Sequence, residues 1–468
     1  MASRRVPSSF RDPCGFLFHG DDGTLYRQVN RRYEQNFRLL NDSGLYDELT
    51  RAGQLVDHEI ADDAEPVTDE SFCVIRPRRL PFISYPYEWP FSALKDAARL
   101  TLDIQLRALK RDMQLKDATA YNVQFEGCKP ILIDTLSFEA YQPDVPWKAY
   151  GQFCRHFLAP LALMSKVHVD LGYLLRDYID GVPLDLASKL LPWKTKLSLN
   201  YQVHVHWHAR MIARHSQTAI PLENMADTDK TTSKIKLPKN RLVALLESLR
   251  RTIGDLKWEP GGTEWADYYE NTSYTDEGLN QKKQFVRQYL EAVQPTTVWD
   301  LGANTGEFSQ IASDLGCRTF SFDIDPACVE RCYLRGKKAK QDRLLPLRMD
   351  LTNPSPGLGW AHEERDSLAD RGPADVVMAL ALIHHLAISN NVSLGSVADY
   401  FRRLGKSLII EFVPKQDPQV RRLLMSREDI FDQYYQGPFE EAFAKCFHIE
   451  QSQPIGSDGR VLYRMRAR

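Results

Sequence analysis

Asp300, Gly302, Asn304 and Gly306 follow the apolar pair Val298-Trp299 in the order D-x-G-x-N-x-G. Glycines at that spacing make a turn in which a ligand meets bare backbone. Asp323 comes about 20 residues later, where a carboxylate offers two oxygens to the two hydroxyls of a ribose. Asp350 ends a further apolar run that begins at Leu345. His384 and His385 close a nearly continuous apolar stretch over residues 374–382. An imidazole titrates near neutral pH, so one of the pair is a candidate base for an acceptor hydroxyl. The pattern is neither the dinucleotide fingerprint G-x-G-x-x-G nor a phosphate loop with its lysine. A plainer reading stays open at each position. The turn is then a strand-turn-helix corner, Asp350 opens a turn, and a histidine orients a loop or caps a helix.

These residues need elements to hold them. Residues 298–301 read as a buried strand, and helix-compatible residues follow from Glu307. Residues 318–322 and 345–349 read as the next two strands, each ending in an acid. Asp325 with Pro326 reads as the cap and first position of a helix. The apolar run at 374–382 suits a central parallel strand. Residues 407–410 form a fifth strand ending at Glu411, a candidate contact to acceptor, and 427–431 read as helix. Residues 449–450 and 461–465 read as a closing antiparallel pair. A doubly wound sheet binds ligands beyond the carboxyl ends of its strands, where Asp300, Asp323, Asp350, His384 and His385 would then gather.

This ordered set resembles class I S-adenosylmethionine-dependent methyltransferases. The resemblance implies an α/β fold with a C-terminal Rossmann-like sheet, mostly parallel with an antiparallel last strand. It implies S-adenosyl-L-methionine as cofactor. Asp300, Gly302, Asn304 and Gly306 would shape the methionine side of the pocket, Asp323 would hold ribose and Asp350 adenine. His384 and His385 would be the catalytic pair facing the acceptor. Trp265, Tyr268, Tyr269 and Tyr274 stand where such enzymes often place a lid over the cofactor; packing of the following helix is the other reading. The whole chain also resembles bacterial nodulation-associated methyltransferase-like proteins, which implies O-methylation of a small-molecule or glycan acceptor.

The first half carries a second constellation. Asp117 and Asn122 stand five apart after a long amphipathic helix at 92–113, and Asp134 ends the short apolar hairpin that follows. The spacing resembles the catalytic loop and metal-binding strand of the protein-kinase-like and aminoglycoside-phosphotransferase-like fold. That resemblance implies an α+β, kinase-like N-terminal domain with Asp117, Asn122 and Asp134 as a possible second site. The departures are plain. No glycine-rich phosphate loop opens the chain, Arg27 stands near the place of the expected lysine, and Lys116 precedes Asp117 in place of arginine. Otherwise Asp117 and Asn122 cap a loop and Asp134 caps a turn.

Composition sets the frame. The length predicts two or three domains: an N-terminal domain at 1–215, a linker and connecting helix at 216–261, and the cofactor-binding domain at 262–468. Sixty basic and 62 acidic residues are interspersed and leave a net charge of −2, so no global field holds nucleic acid. No run reaches ~20 apolar residues, so no spanning segment, and no membrane partner, is expected. The eight cysteines form no C-x-x-C, and no signal peptide is visible, which points to reduced thiols in a cytoplasmic protein. His204, His206 and His208 would share one face of a strand and suit zinc. The flanking residues read as helix, where the three fan over about 200°, so no metal is expected. Two rivals to the methyltransferase reading are a bifunctional kinase-like enzyme and a non-catalytic cofactor-binding module.

Overall fold

The structure is a computed structural model and describes residues 4–207, 236–263, 276–425, 427–456 and 458–468. His208, the candidate lid aromatics between Trp265 and Tyr274, and most of the linker lie outside the described residues. The chain divides into two compact units. One holds Met1–Phe125, Pro130–Glu259 and Gly359–Arg365; the other holds Glu126–Lys129, Pro260–Leu358 and Asp366–Arg468.

The first unit opens on an antiparallel sheet of β1 (Arg4–Arg5), β2 (Gly15–His19), β3 (Leu25–Asn30), β4 (His58–Ile60) and β5 (Ser71–Pro77), in the order β1-β2-β3-β5-β4. Asp22 Oδ1 accepts the backbone N–H of Thr24, which shapes the expected hairpin turn between β2 and β3. Alternate residues of these strands bury Phe16, Phe18 and Tyr26 on one face and Val29 with Tyr33 and Leu136 on the other. Helix α1 (Phe91–Lys110) follows, with Leu94, Ala97, Leu102, Ile104 and Leu109 inward. It runs into β6 (Met113–Leu115), the hairpin β7 (Val123–Glu126) and β8 (Lys129–Leu132), and β9 (Phe138–Ala140). Helix α2 (Lys239–Asp255) packs back on α1.

The second unit is a seven-stranded sheet. Its strands are β10 (Thr297–Leu301), β11 (Arg318–Asp323), β12 (Leu344–Arg348), β13 (Ala374–Ala379), β14 (Gly405–Phe412), β15 (Phe447–Ile455) and β16 (Arg460–Ala467). The order is β12-β11-β10-β13-β14-β16-β15. The first five are parallel, and β15 and β16 close the edge antiparallel. Strand order reverses between β11 and β13, on either side of β10, so the crevice for a ligand lies beyond its carboxyl end. Helix α3 (Asp276–Val293) precedes β10; α4 (Glu307–Asp314), α5 (Pro326–Lys338) and α6 (Leu394–Leu404) fill the crossovers. Val286, Tyr289 and Leu290 of α3 join Val298, Phe308, Val376, Met378 and Ile409 in one core. Each such side chain contributes about 1.5–3 kcal/mol on full burial. Asp375 Oδ2 accepts the N–H groups of Thr296 and Thr297 and so sets where β10 and β13 begin.

Two expectations are corrected. Residues 427–431 are not helical, because Asp429 turns back to accept the N–H of Phe431. Glu411 does not face an acceptor. It is fully buried between Lys282 Nζ at 2.7 Å and Arg460 Nη1 at 2.9 Å, and Arg460 reaches on to Asp417 at 2.8 Å. A buried carboxylate at a strand end needs counter-charge, and two cations from distant segments supply it. Glu411→Gln leaves both cations without that charge. Urea unfolding of the full chain should show the transition of the second unit destabilised by about 3–5 kcal/mol. An unchanged midpoint would show that the bridge contributes nothing.

Candidate functional site

The glycine turn after β10 is built from backbone bonds to β11. The N–H groups of Gly302 and Ala303 both donate to Phe322 O, at 2.8 and 3.0 Å. Gly302 and Gly306 have φ of +72° and +80°, and Asn304 also sits in the left-handed region at +50°. A side chain at Gly302 would meet Leu382 at 3.0 Å; one at Gly306 would meet Cys332 Sγ at 2.6 Å. Only glycine fits both the backbone and the space at Gly306. Asn304 tolerates its conformation because its Oδ1 accepts the N–H of Thr305 at 2.7 Å.

Asp323 ties the turn to the next loop. Its Oδ2 accepts the N–H of Asn304 at 2.6 Å and its Oδ1 that of Asp325 at 2.8 Å. Burial pushes its carboxyl up to about 6, against the pull of those N–H groups. Asp300 is also pushed up to about 6, chiefly by burial; Ser309 Oγ donates to it at 2.6 Å. Asp325 caps α5 through the N–H groups of Ala327 and Cys328, with Pro326 at the first position as the sequence suggested. Asp350 takes the plainer of its two readings in part: its Oδ1 accepts the N–H and hydroxyl of Thr352, opening a turn. Met349 beside it donates to Asp323 O, which places the end of β12 next to the acid loop.

The histidines stand just past β13. Leu382, three residues beyond the strand, reaches the Gly302 turn. Ala381 holds φ +51° there, a conformation costly for alanine. His384 is 2 % exposed, and its Nδ1 has no hydrogen-bond partner among the described residues. Burial holds its imidazolium well below the ordinary histidine range, and the charges of Arg460 and Lys282 push the same way. His385 is half-buried, with ring centroid 4.1 Å from that of His384. Burial lowers it to about 4. Both rings are therefore neutral near pH 7.

Lys282 is the residue that spacing did not reveal. It lies on the inward face of α3, 4.5 Å from the Phe308 ring and paired with Glu411. Burial lowers its pKa, and the paired Glu411, with a smaller pull from Asp300, acts against that. Its one sequence signal is a lysine at an apolar position of an amphipathic helix.

In the first unit the structure brings Asp117, Asn122 and Asp134 together. Asp117 accepts the N–H of Thr119 at 3.0 Å and bonds from Gln152 and Asn122. Asn122 Nδ2 donates to Ser137 Oγ at 3.0 Å, and Ser137 Oγ donates to Asp134. Arg27 Nη1 lies 2.5 Å from Asp134 Oδ1, and the N–H of Leu136 donates to the same oxygen. A guanidinium thus supplies the positive charge beside Asp134, and among the described residues no group of three or more His, Cys, Asp or Glu is arranged to hold a metal ion. His204 and His206 are likewise committed: to Tyr150 and Ser248, and to Ser188 and Thr195.

A nodulation protein of Rhizobium meliloti strain 1021, NoeA, is 37 % identical over 467 residues, 98 % of this chain and 95 % of its own. The chain belongs to the NoeA family. No protein-family model matches it. Among solved structures, part of the chain is similar to magnesium protoporphyrin IX methyltransferase from Synechocystis with bound SAH (18 % identity, 41 % of this chain and 84 % of that one, TM-score 0.31). WbdD is similar at 17 % identity, 46 % of each chain and TM-score 0.30. The N-methyltransferase NodS from Bradyrhizobium japonicum WM9 is similar at 12 %, with 41 % of this chain and 97 % of that one, TM-score 0.29.

The backbone of the turn can be tested apart from any ligand. Gly306→Ala should destabilise the second unit by more than the ~1–2 kcal/mol of a left-handed alanine, because Cys332 must also move. Ala381→Gly should be neutral to about 1 kcal/mol stabilising, relief of strain outweighing the entropy of glycine. Thermal and urea unfolding of the two variants check both signs.

Proposed function

We propose that the second unit is an S-adenosylmethionine-dependent methyltransferase acting on a hydroxyl of a small-molecule or glycan acceptor. The observation that carries this reading is the bonded array at the carboxyl ends of the central parallel strands. Asp300, Gly302, Asn304, Gly306 and Asp323 form a continuous cradle at the switch point, and a histidine pair stands past the next strand. The donor chemistry fits the cofactor. The Asp323 oxygens accept the N–H groups of Asn304 and Asp325, with a lesser pull from that of Ile324; a carboxylate has about four acceptor sites, so it could still take both ribose hydroxyls. Those bonds would offset part of the cost of its burial.

When bound, the cofactor supplies a methyl already activated by its sulfonium. The chain's own residues position and hold. Gly302 and Gly306 leave the backbone bare for the amino-acid end, and Asp300 and Asn304 shape that side. Asp350, with one oxygen held by Thr352, would offer its other oxygen to the adenine amino group. His385, the more exposed of the pair, takes the acceptor proton as a neutral base. His384 backs its ring in a dry environment that leaves both neutral before the proton moves. The name of the NoeA relative supports an acceptor made for nodulation; the oxygen acceptor is our reading.

Isothermal titration with S-adenosylmethionine and S-adenosylhomocysteine tests the assignment. The native chain should bind both, and Asp323→Ala should lose at least about a hundredfold, the worth of two bonds to a charged acceptor. Binding of neither by the native chain ends the proposal. Affinity should also fall as Asp323 is protonated: flat above about pH 7, then weakening toward tenfold per pH unit below about 6. His385→Gln should keep cofactor affinity and lose ~10²–10⁴ in transfer of labelled methyl to host glycan fractions. Unchanged transfer would remove His385 from the mechanism.

A further inference from the structure

The first unit exposes a short turn that its own packing does not explain. Trp193 is 66 % exposed, Leu197 76 % and Leu199 77 %. These are three large apolar side chains within seven residues. Single exposed apolar residues are ordinary on a protein surface, but a cluster marks an interaction site. The turn that carries them is anchored. Thr195 points inward, donating to Pro192 O at 2.7 Å and bonded to His206 Nε2 at 3.0 Å. Trp193 and Leu197, on either side of that anchor, are held outward. Two exposed lysines, Lys194 and Lys196, are interleaved with them, and exposed Lys189 stands just before, 3.9 Å from Asp185 on the preceding helix. From Leu186 through Trp207 there is no aspartate or glutamate, in a chain that has 62 of them.

We propose that this turn docks on the surface of a bilayer that carries anionic lipid. The composition selects that partner over a protein. Lysine is depleted at protein interfaces, where arginine takes its place. Tryptophan and leucine beside Lys194 and Lys196, in a turn that itself holds no acid, is the composition of a segment lying in the headgroup region. The indole sits at the depth where an apolar ring meets polar headgroups, and the lysine stems let their ammonium groups reach phosphates. No described helix is long and apolar enough to cross a membrane. The expectation of no membrane partner rested on that demand, and lying on a surface does not make it. Docking would bring the chain to acceptors that are themselves held at a membrane, whatever chemistry the second unit performs on them.

Co-sedimentation of the full chain with vesicles tests this. The protein should pellet with phosphatidylcholine vesicles containing phosphatidylglycerol at low salt, and stay in solution with phosphatidylcholine alone. Each lysine near the anionic surface is worth on the order of fivefold in partitioning, so moderate salt should release most of the protein. Trp193→Ala/Leu197→Ser/Leu199→Ser and Lys189→Gln/Lys194→Gln/Lys196→Gln should each lose binding by tenfold or more. Their circular dichroism and melting should stay native, since every altered side chain is exposed. Failure of the native protein to pellet with anionic vesicles overturns the proposal, as does undiminished binding by both variants. A native dimer in sedimentation velocity that the apolar variant abolishes would make a second copy the occupant, and also overturns it.

Discussion

Asp323 accepts the backbone N–H of Asn304 and that of Asp325, and the geometry of the second unit's cradle depends on that one carboxylate. The first bond closes the glycine turn after β10; the second closes the loop after β11. Parallel pairing sets the two strand ends side by side, so a single side chain can serve both. The arrangement costs free energy, because the carboxylate is buried. Backbone N–H groups of Asn304 and Asp325, with a lesser pull from that of Ile324, offset part of that cost. Glycine at 302 and 306 completes the cradle by leaving room where a side chain would strike Leu382 or Cys332.

Much of this was legible in the sequence because each residue announces its demand locally. An acid after an apolar run ends a strand, glycines at fixed spacing need positive φ, and an Asp-Pro pair marks a helix start. Those rules placed Asp300, Asp323 and Asp325 at strand or helix ends, where the structure has them. Asp350 shows the limit of such reasoning. A turn-opening aspartate and a ligand-binding aspartate look alike in sequence, and here one oxygen already serves the turn.

Less was legible where meaning depends on a distant partner. Glu411 stands at a strand end like the other acids, yet its role is set by Lys282 and Arg460, 129 and 49 residues away in the chain. No periodicity predicts such a meeting. Asp134 is a parallel case: its spacing from Asp117 suggested a cation site, and an arginine from β3 already supplies the positive charge. The lysines and aromatic of residues 189–199 carry no sequence signal for another reason. Hydropathy windows look for long apolar runs, and a turn that only touches an interface has none.

The buried bridge of Lys282, Glu411, Arg460 and Asp417 also carries a consequence for biosynthesis. Lys282 leaves the ribosome first, the two acids next, and Arg460 last of the four. Until β16 emerges, Asp417 lacks its guanidinium and Glu411 has only one of its two counter-charges. The central parallel strands can pair as they are made, but the dry end of β14 is electrically complete only when the closing hairpin arrives. Charge balance at that end of β14 therefore waits on the last strand of the chain.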